Sequence, residues 1–371
     1  MKLRCERDVL AEALATAGRA VANRGALPVL SGVRLELAGD RLTITGSDLE
    51  LTITVERTVA GLADGVAVVP SRLVNEIVKA LEPGAVELET GDDEARIASG
   101  RSEFTLKTLP ADEFPRVAGV EGDEVRFEAD ALVGALRQVL PAASGDDNRP
   151  ILTGVLLAAE DRGLRLVATD SYRLAVRDLP GVSVLSSGKQ VLVPSRALAE
   201  LSRSLGEGGE LTLRLGERDA SFSSRSADGG ESGGIVLTTR LIEGDYPNYQ
   251  GLIPQNQPNR LTVAREPLME ALRRVKLLAR DATPVRLLMS SDGLELKAVT
   301  QDVGEGSESL DATYEGEELT VAFNPDYLLA GIEAAVGEEI TLSTMDSLKP
   351  AVVRTPASDD YLYLLMPVRV Q

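Results

Sequence analysis

Three stretches decide how this chain folds: PSRLVNEIVKAL at residues 70–81, PSRALAELSRSL at 194–205 and PDYLLAGIEAAV at 325–336. Counted from each proline, positions 3, 4, 7 and 11 are apolar in all three: Leu73, Val74, Ile77, Leu81; Ala197, Leu198, Leu201, Leu205; Leu328, Leu329, Ile332, Val336. That spacing covers one face of an α-helix. Ser71, Ser195 and Asp326 follow the prolines, and each is expected to cap its helix by accepting an orphan backbone N–H.

A second helix recurs too, beginning at Asp8, Asp130 and Glu266, acidic residues suited to the positive end of a helix dipole. Its apolar face comprises Leu10, Ala13, Leu14 and Ala17, then Leu132, Ala135, Leu136 and Val139, then Leu268, Ala271, Leu272 and Val275. Between the helices, Pro28, Pro150 and Pro284 precede alternating apolar runs, and Asp48, Asp170 and Asp302 stand at matching points further on. Four landmarks recur at spacings of about 120–135 residues, the mark of an internal repeat. The expected fold class is α+β: three similar domains at 1–120, 121–253 and 254–371, each running helix, strands, helix, strands. Two helices in each domain would back onto antiparallel sheet.

Composition narrows the chemistry. The chain of 371 residues has no His and no Trp, with 7 Tyr and 5 Phe. A His-based triad, a His metal ligand and a His general base are therefore excluded, and so few rings make a base-stacking platform a poor expectation. One cysteine, Cys5, permits no internal disulfide. No apolar run approaches the ~18 residues needed to cross a bilayer, and the N-terminus lacks the pattern of a signal peptide. A cytoplasmic protein with no membrane association is expected.

With 39 Lys plus Arg against 58 Asp plus Glu, the net charge of −19 first argues against a nucleic-acid partner. Its distribution changes that. Over the expected helices 7–19, 71–81, 130–141, 195–205, 266–280 and 326–336 there are 11 basic and 9 acidic residues, so the helices are +2 and the rest −21. Were the helices to line a ring at ~9–10 Å between axes, six would leave a bore of about 8 Å and twelve about 26 Å, and only the latter admits a duplex about 20 Å wide. Two chains would be needed.

The repeat, RGALPVLSG at 24–32, ATDSYRLAV at 168–176, DYPNY at 245–249 and LMPVR at 365–369 together resemble the bacterial DNA polymerase III beta subunit family of sliding clamps. The resemblance covers the whole chain. It implies three clamp domains per chain, a head-to-tail homodimeric ring around duplex DNA, no catalysis and no cofactor. Affinity for DNA would be topological and independent of sequence, with a few mobile phosphate contacts. By position, Arg24 matches the family's DNA-contacting loop arginine and Arg149 occupies the corresponding loop of the second domain. The helix reading adds Lys79, Arg137, Arg196, Arg203, Arg273 and Lys276 as bore-facing candidates.

The resemblance also implies a partner-peptide cleft at Leu152, Thr169, Tyr172, Arg173, Leu174, Pro247, Leu252, Leu348, Met366, Pro367, Val368 and Arg369. Aliphatic and Met side chains suit an adaptable pocket for Leu and aromatic anchors. Implied partners are the DNA polymerase III alpha subunit, the clamp loader, repair polymerases and other proteins carrying a clamp-binding motif. Ser171-Tyr172 departs from the commoner Gly-His, making the rim larger and more aromatic. For the ring interface, Phe104 and Leu106 match one apolar patch and Leu277 and Leu278 its counterpart.

Two other readings compete. A carboxylate-based metalloenzyme would use clusters such as GDDEAR from Gly91 or EGDE from Glu121, but these sit in turn-like stretches and do not recur between repeats. The Gly-rich SADGGESGG at 226–234 lacks the phosphate-loop signature and reads as a loop. A repeat-built interaction scaffold would keep the cleft without encircling DNA.

Overall fold

The computed structural model describes the chain except residues 23–26, 117–118, 162, 183–187, 206–207, 225–233, 280–282, 357 and 370–371. Arg24 and nearly all of the Gly-rich 226–234 stretch thus lie outside the described residues. Among the described residues the α-helices are α1 (Arg7–Gly18), α2 (Ser71–Ala80), α3 (Ala129–Val139), α4 (Ser195–Ser204), α5 (Arg265–Lys276) and α6 (Pro325–Ala334). The expected helices are all present, with ends that differ by at most about one turn. Every apolar position expected on α1, α3 and α5 is buried, from Leu10 to Val275.

The other three helices follow the pattern less strictly. Val74, Ala197, Leu198, Leu201, Leu328 and Ile332 are buried, whereas Leu73 and Val336 are exposed. Val336 misses the core because α6 stops at Ala334, before its eleventh position is reached. The capping expectation is corrected as well. Ser71 and Ser195 are the first residues of their helices, and the residue before α2, Pro70, offers no side-chain acceptor. In α6 the cap is Asn324, whose side chain accepts from the amides of Asp326 and Tyr327. The acidic starts hold, with Asp8, Asp130 and Glu266 in the first turns of α1, α3 and α5.

The element order also differs from the expectation. A short strand precedes the first helix of every repeat: Lys2–Glu6, Asp123–Glu128 and Asn259–Ala264. Pro28 and Pro150 open single 3₁₀ turns before their strands, while Pro284 leads directly into Val285–Ser290. The landmark Asp302 is out of step by one. In the first two repeats the residue after the aspartate takes a positive φ, Leu49 at 78° and Ser171 at 81°; in the third, Asp302 itself does, at 63°. Asp tolerates this left-handed conformation better than most residues, so the true counterpart of Asp48 and Asp170 is Gln301.

The chain forms two compact units. The first comprises residues 1–130 and 196–241. It holds a five-stranded sheet, in the order Ala60–Ala63, Lys2–Glu6, Ala85–Thr90, Glu94–Ser99, Ser102–Lys107, and an eight-stranded sheet. In the latter the second-repeat strand Ile235–Arg240 pairs antiparallel with the first-repeat strand Leu51–Thr58, Thr239 opposite Leu51. Helix α1 lies against the sheet at Gly46, where a Cβ would stand 2.0 Å from the Ala17 carbonyl oxygen. Only glycine permits that approach.

The second unit comprises residues 131–195 and 242–371. Its nine-stranded sheet repeats the device: Ser358–Leu365 pairs antiparallel with Arg173–Pro180, Leu365 opposite Arg173. A four-stranded sheet has Gly304–Leu310 at one edge. Helix α6 packs on Tyr363 through Gly331, where a Cβ would come within 2.3 Å of the ring. The fully buried Tyr361 and Tyr363 satisfy their hydroxyls on the same helix, donating to the carbonyls of Gly331 at 3.2 Å and Tyr327 at 2.8 Å. No helix of the described residues is long and apolar enough to cross a membrane.

Candidate partner cleft and basic helices

The turn Thr169-Asp170-Ser171-Tyr172-Arg173 shapes one end of the second unit's large sheet. Asp170 Oδ1 accepts the amides of Tyr172 at 2.9 Å and Arg173 at 3.0 Å, while Oδ2 accepts Arg173 Nε at 2.9 Å. Thr169 Oγ1 donates to the Arg173 carbonyl at 2.7 Å and accepts the Ser171 amide at 3.2 Å. A short polar side chain that satisfies its own backbone two and three residues on fixes a turn without help from a sheet ladder. The result is that Tyr172 is thrown outward, 58% exposed, while Arg173 is turned inward.

Helix α6 completes the arrangement. The Arg173 guanidinium lies 4.3 Å from the Tyr327 ring centroid, and that ring also meets Tyr172 at 6.4 Å with a 32° tilt. Cation–π and ring–ring contacts of this kind are worth about 0.5–2 kcal/mol. Burial pushes the Tyr363 phenol up to about 12, with the Arg173 charge pulling the other way. Neither Tyr327 nor Tyr363 was expected from sequence. The Asn324-Pro325 start of α6 signals a helix, but nothing local reveals that Tyr327 faces a turn some 150 residues earlier.

Beneath the turn, Leu174 belongs to a buried apolar cluster with Val176, Val352, Leu362, Leu364 and Tyr249, flanked by Tyr246 and Ile253. The segment carrying Pro247 and Leu252 is thereby pinned to the same cluster, leaving those two side chains exposed. Leu348 sits in the turn between Glu339–Thr344 and Ala351–Thr355, held by Asp346 Oδ1 accepting its amide at 2.7 Å. Ala351 is opposite Leu365, which puts that turn at the sheet end where Met366 donates its amide to the Tyr172 carbonyl at 2.9 Å. Leu348 is 60% exposed, Leu252 53% and Met366 39%, all beside a buried apolar cluster. Leu152, Thr169 and Leu174 are buried, Pro367 and Val368 are half-buried, and Arg369 is exposed. The Val368 amide is tied to the Ala322 carbonyl at 2.7 Å.

The basic candidates differ in how committed they are. Lys79 on α2 and Arg137 on α3 are exposed and, among the described residues, make no ion pair. Arg196 pairs with Asp48 at 2.5 Å, Arg203 with Glu200 at 2.8 Å, Arg273 with Glu333 at 2.6 Å, and Lys276 with Asp326. Arg273–Glu333 and Lys276–Asp326 are open to solvent at both ends and contribute about 0–1 kcal/mol, so those cations remain exchangeable, whereas the partners Asp48 and Glu200 are only 13% and 12% exposed. Arg149 is the most engaged: Nε bonds Asp146 Oδ2 at 3.0 Å and Nη1 the Asp170 carbonyl at 3.2 Å, bracing the cleft turn.

At the remaining expected surface, Phe104 and Leu106 lie on the edge strand Ser102–Lys107, Phe104 exposed and Leu106 buried in its own sheet. Leu277 is 77% exposed just past α5, and Leu278 is half-buried against Gly306 of the other edge strand. Val299 and Val303 are also exposed beside that edge. Among the described residues no group of three His, Cys, Asp or Glu side chains is arranged to hold a metal ion.

Family models match the chain end to end: the DNA polymerase III beta subunit N-terminal domain at residues 1–118, its central domain at 126–248 and its C-terminal domain at 250–369. The beta sliding clamp of Streptomyces coelicolor is 35% identical over 382 residues and that of Bacillus subtilis 31% over 388, each alignment spanning the full length of both chains. Among solved structures, the Bacillus subtilis DNA polymerase sliding clamp superposes with a TM-score of 0.90 at 30% identity, covering all of both chains. A Pseudomonas aeruginosa sliding clamp bound to griselimycin gives 0.88 at 30%, again over both full chains. With three domain models in tandem and full-length likeness in sequence and fold, the chain belongs to the DNA polymerase III beta subunit family, the beta sliding clamps.

Proposed function

We propose that two copies of this chain close head to tail into a ring around duplex DNA and tether the replicative polymerase to it. The full-length match to sliding clamps carries this reading. In it the chain is a cytoplasmic, non-catalytic processivity factor with three clamp domains at 1–120, 121–253 and 254–371. The basic residues on the helices, with Arg24, give weak and sequence-independent phosphate contacts. Strong base contacts would only create sticking points.

The ring would close where Ser102–Lys107 of one copy meets Gly304–Leu310 of the other, each an edge strand with unsatisfied backbone groups. Phe104 and Leu277 supply exposed apolar side chains for that contact. The cleft formed by Tyr172, Pro247, Leu252, Leu348 and Met366 above Leu174 would take the Leu and aromatic anchors of a linear motif. The polymerase alpha subunit, the clamp loader and repair polymerases would compete for it.

The test is topological. Loaded by its clamp loader onto nicked circular DNA, the protein should stay bound in high salt and be lost once the circle is linearised. Equal retention on both forms would mean a scaffold rather than a ring, and turnover of the DNA would mean an enzyme.

A further inference from the structure

The turn that carries Leu348, residues 345–350, is six residues long. Its tip is fixed from within: Asp346 Oδ1 accepts the amides of Leu348 at 2.7 Å and Lys349 at 2.9 Å. Its base is not. The ladder to the neighbouring strand ends with Thr344 opposite Asn259, so the Met345 carbonyl lies past the last strand pair.

Asn259 reaches that carbonyl. Its Nδ2 donates to the Met345 oxygen at 2.9 Å, and its Oδ1 accepts the Glu317 amide at 3.1 Å. The residue is only 7% exposed, so the two backbone groups decide how the side-chain amide is turned. Gly316, with φ at 132°, lies so close that a Cβ there would strike Asn259 Oδ1. Gln257 adds a parallel tie, its Nε2 donating to the Ser343 carbonyl at 2.9 Å. The segment that brings Pro247 and Leu252 to the cleft therefore continues into the residues that fasten the turn of Leu348.

The repeat separates this device from the needs of the fold. The two large sheets share one strand order, so the turn between Glu210–Leu215 and Asp219–Ser224, with Arg218, corresponds to the turn with Leu348. It has three residues where the other has six. Asp123, opposite Leu215, stands where Asn259 stands opposite Thr344. The asparagine belongs to the repeat whose turn is long and presents an exposed leucine.

We propose that Asn259 is a positioning residue of the peptide cleft, which holds the base of residues 345–350 so that Leu348 stands ready for a partner's apolar anchor. Being buried, it acts through Leu348 and not by touching the peptide. Without the tie, binding has to order the turn as well as fill the cleft, and affinity falls by that cost. The inference rests on the reading of the apolar cleft as a peptide site.

The experiment uses the full-length protein, a fluorescent Leu-Leu-Phe peptide and a double-mutant cycle. Asn259→Asp keeps the shape and the acceptor but removes the donor, and should weaken the peptide about tenfold. In a Leu348→Ala background the same change should cost less than twofold, whereas in a Tyr172→Ala background it should again cost about tenfold. Gly316→Ala, in an exposed turn, displaces Asn259 from the other side and should reproduce the pattern. Methyl signals of Leu174 and Leu364, in the buried cluster, should keep their positions in both variants and so report an intact fold. Unchanged affinity, an equal loss with and without Leu348, or displaced Leu174 and Leu364 signals in both variants would each overturn the proposal. If the unsubstituted protein binds the peptide without any shift of the Leu348 methyl signals, it is the reading of the apolar cleft that falls.

Discussion

The turns at Asp48 and Asp170 use the same backbone device. In each, Oδ1 accepts two successive amides, those of Glu50 and Leu51 at 3.1 and 2.8 Å, or those of Tyr172 and Arg173 at 2.9 and 3.0 Å. In each, the following residue takes positive φ. The second carboxylate oxygen separates them. Asp170 Oδ2 holds the neighbouring Arg173, whose side chain is only 15% exposed, whereas Asp48 Oδ2 reaches Arg196 on α4, which is 54% exposed. One aspartate therefore closes a local, largely dehydrated unit beneath an apolar rim. The other ties a helix to a sheet through a pair whose arginine end is solvated. A duplicated backbone fixes where a cleft can form, and the side chains around it decide what it can hold.

The comparison breaks most visibly at the rim. Leu348→Asp should weaken an apolar clamp-binding peptide about 30-fold, the scale of an interface hot spot, while Arg218→Asp at the corresponding turn leaves it unchanged; fluorescence anisotropy with the labelled peptide checks both. Next come the aspartates. Asp170→Ala strands a poorly exposed guanidinium and should cost about 2–3 kcal/mol locally, against about 1–2 kcal/mol for Asp48→Ala. Hydrogen exchange of the Arg173 and Leu51 amides measures the two, and equal losses would show that the partner of Oδ2 is irrelevant. Tyr327→Leu is expected to take a further ~0.5–1.5 kcal/mol from the second turn alone.

Alkali supplies the smallest contrast. Burial, then the nearby Glu6 charge, pushes the Cys5 thiol in the first unit up to about 11, and burial pushes Tyr363 in the second up to about 12. Both groups are held neutral by the fold, so the unfolded chain ionises first as pH rises. Their stabilisation is complete below the unfolded values of 9.0 and 10.0 and is lost towards about 11 and 12 respectively. Cys5→Ala should therefore flatten the alkaline unfolding curve from pH 9 upward, and Tyr363→Phe only from pH 10.

The helices were legible because an amphipathic period is local: every expected core position of α1, α3 and α5 is buried. Their caps were not, since Asn324 lies one residue before the proline used as the landmark. The strands that open each repeat are short and run directly into a helix, so Lys2–Glu6 left too few alternations to separate it from α1. Asp302 misled because it sits within one residue of the right place and is itself a residue that accepts a left-handed backbone. The apolar rim followed from resemblance, whereas the Tyr327–Arg173 contact depends on a pairing between distant segments that no local pattern records.

The shared eight-stranded sheet has a consequence for synthesis on the ribosome. Val55 waits for Ile235 as its ladder partner. With about 180 residues between them and elongation at ~5–20 residues per second, the strand Leu51–Thr58 stands with an open edge for roughly 10–40 s. Thr52, Thr54, Glu56 and Arg57 interrupt its apolar residues, a polar patterning that discourages a nascent chain from pairing with its neighbours before its own second repeat arrives.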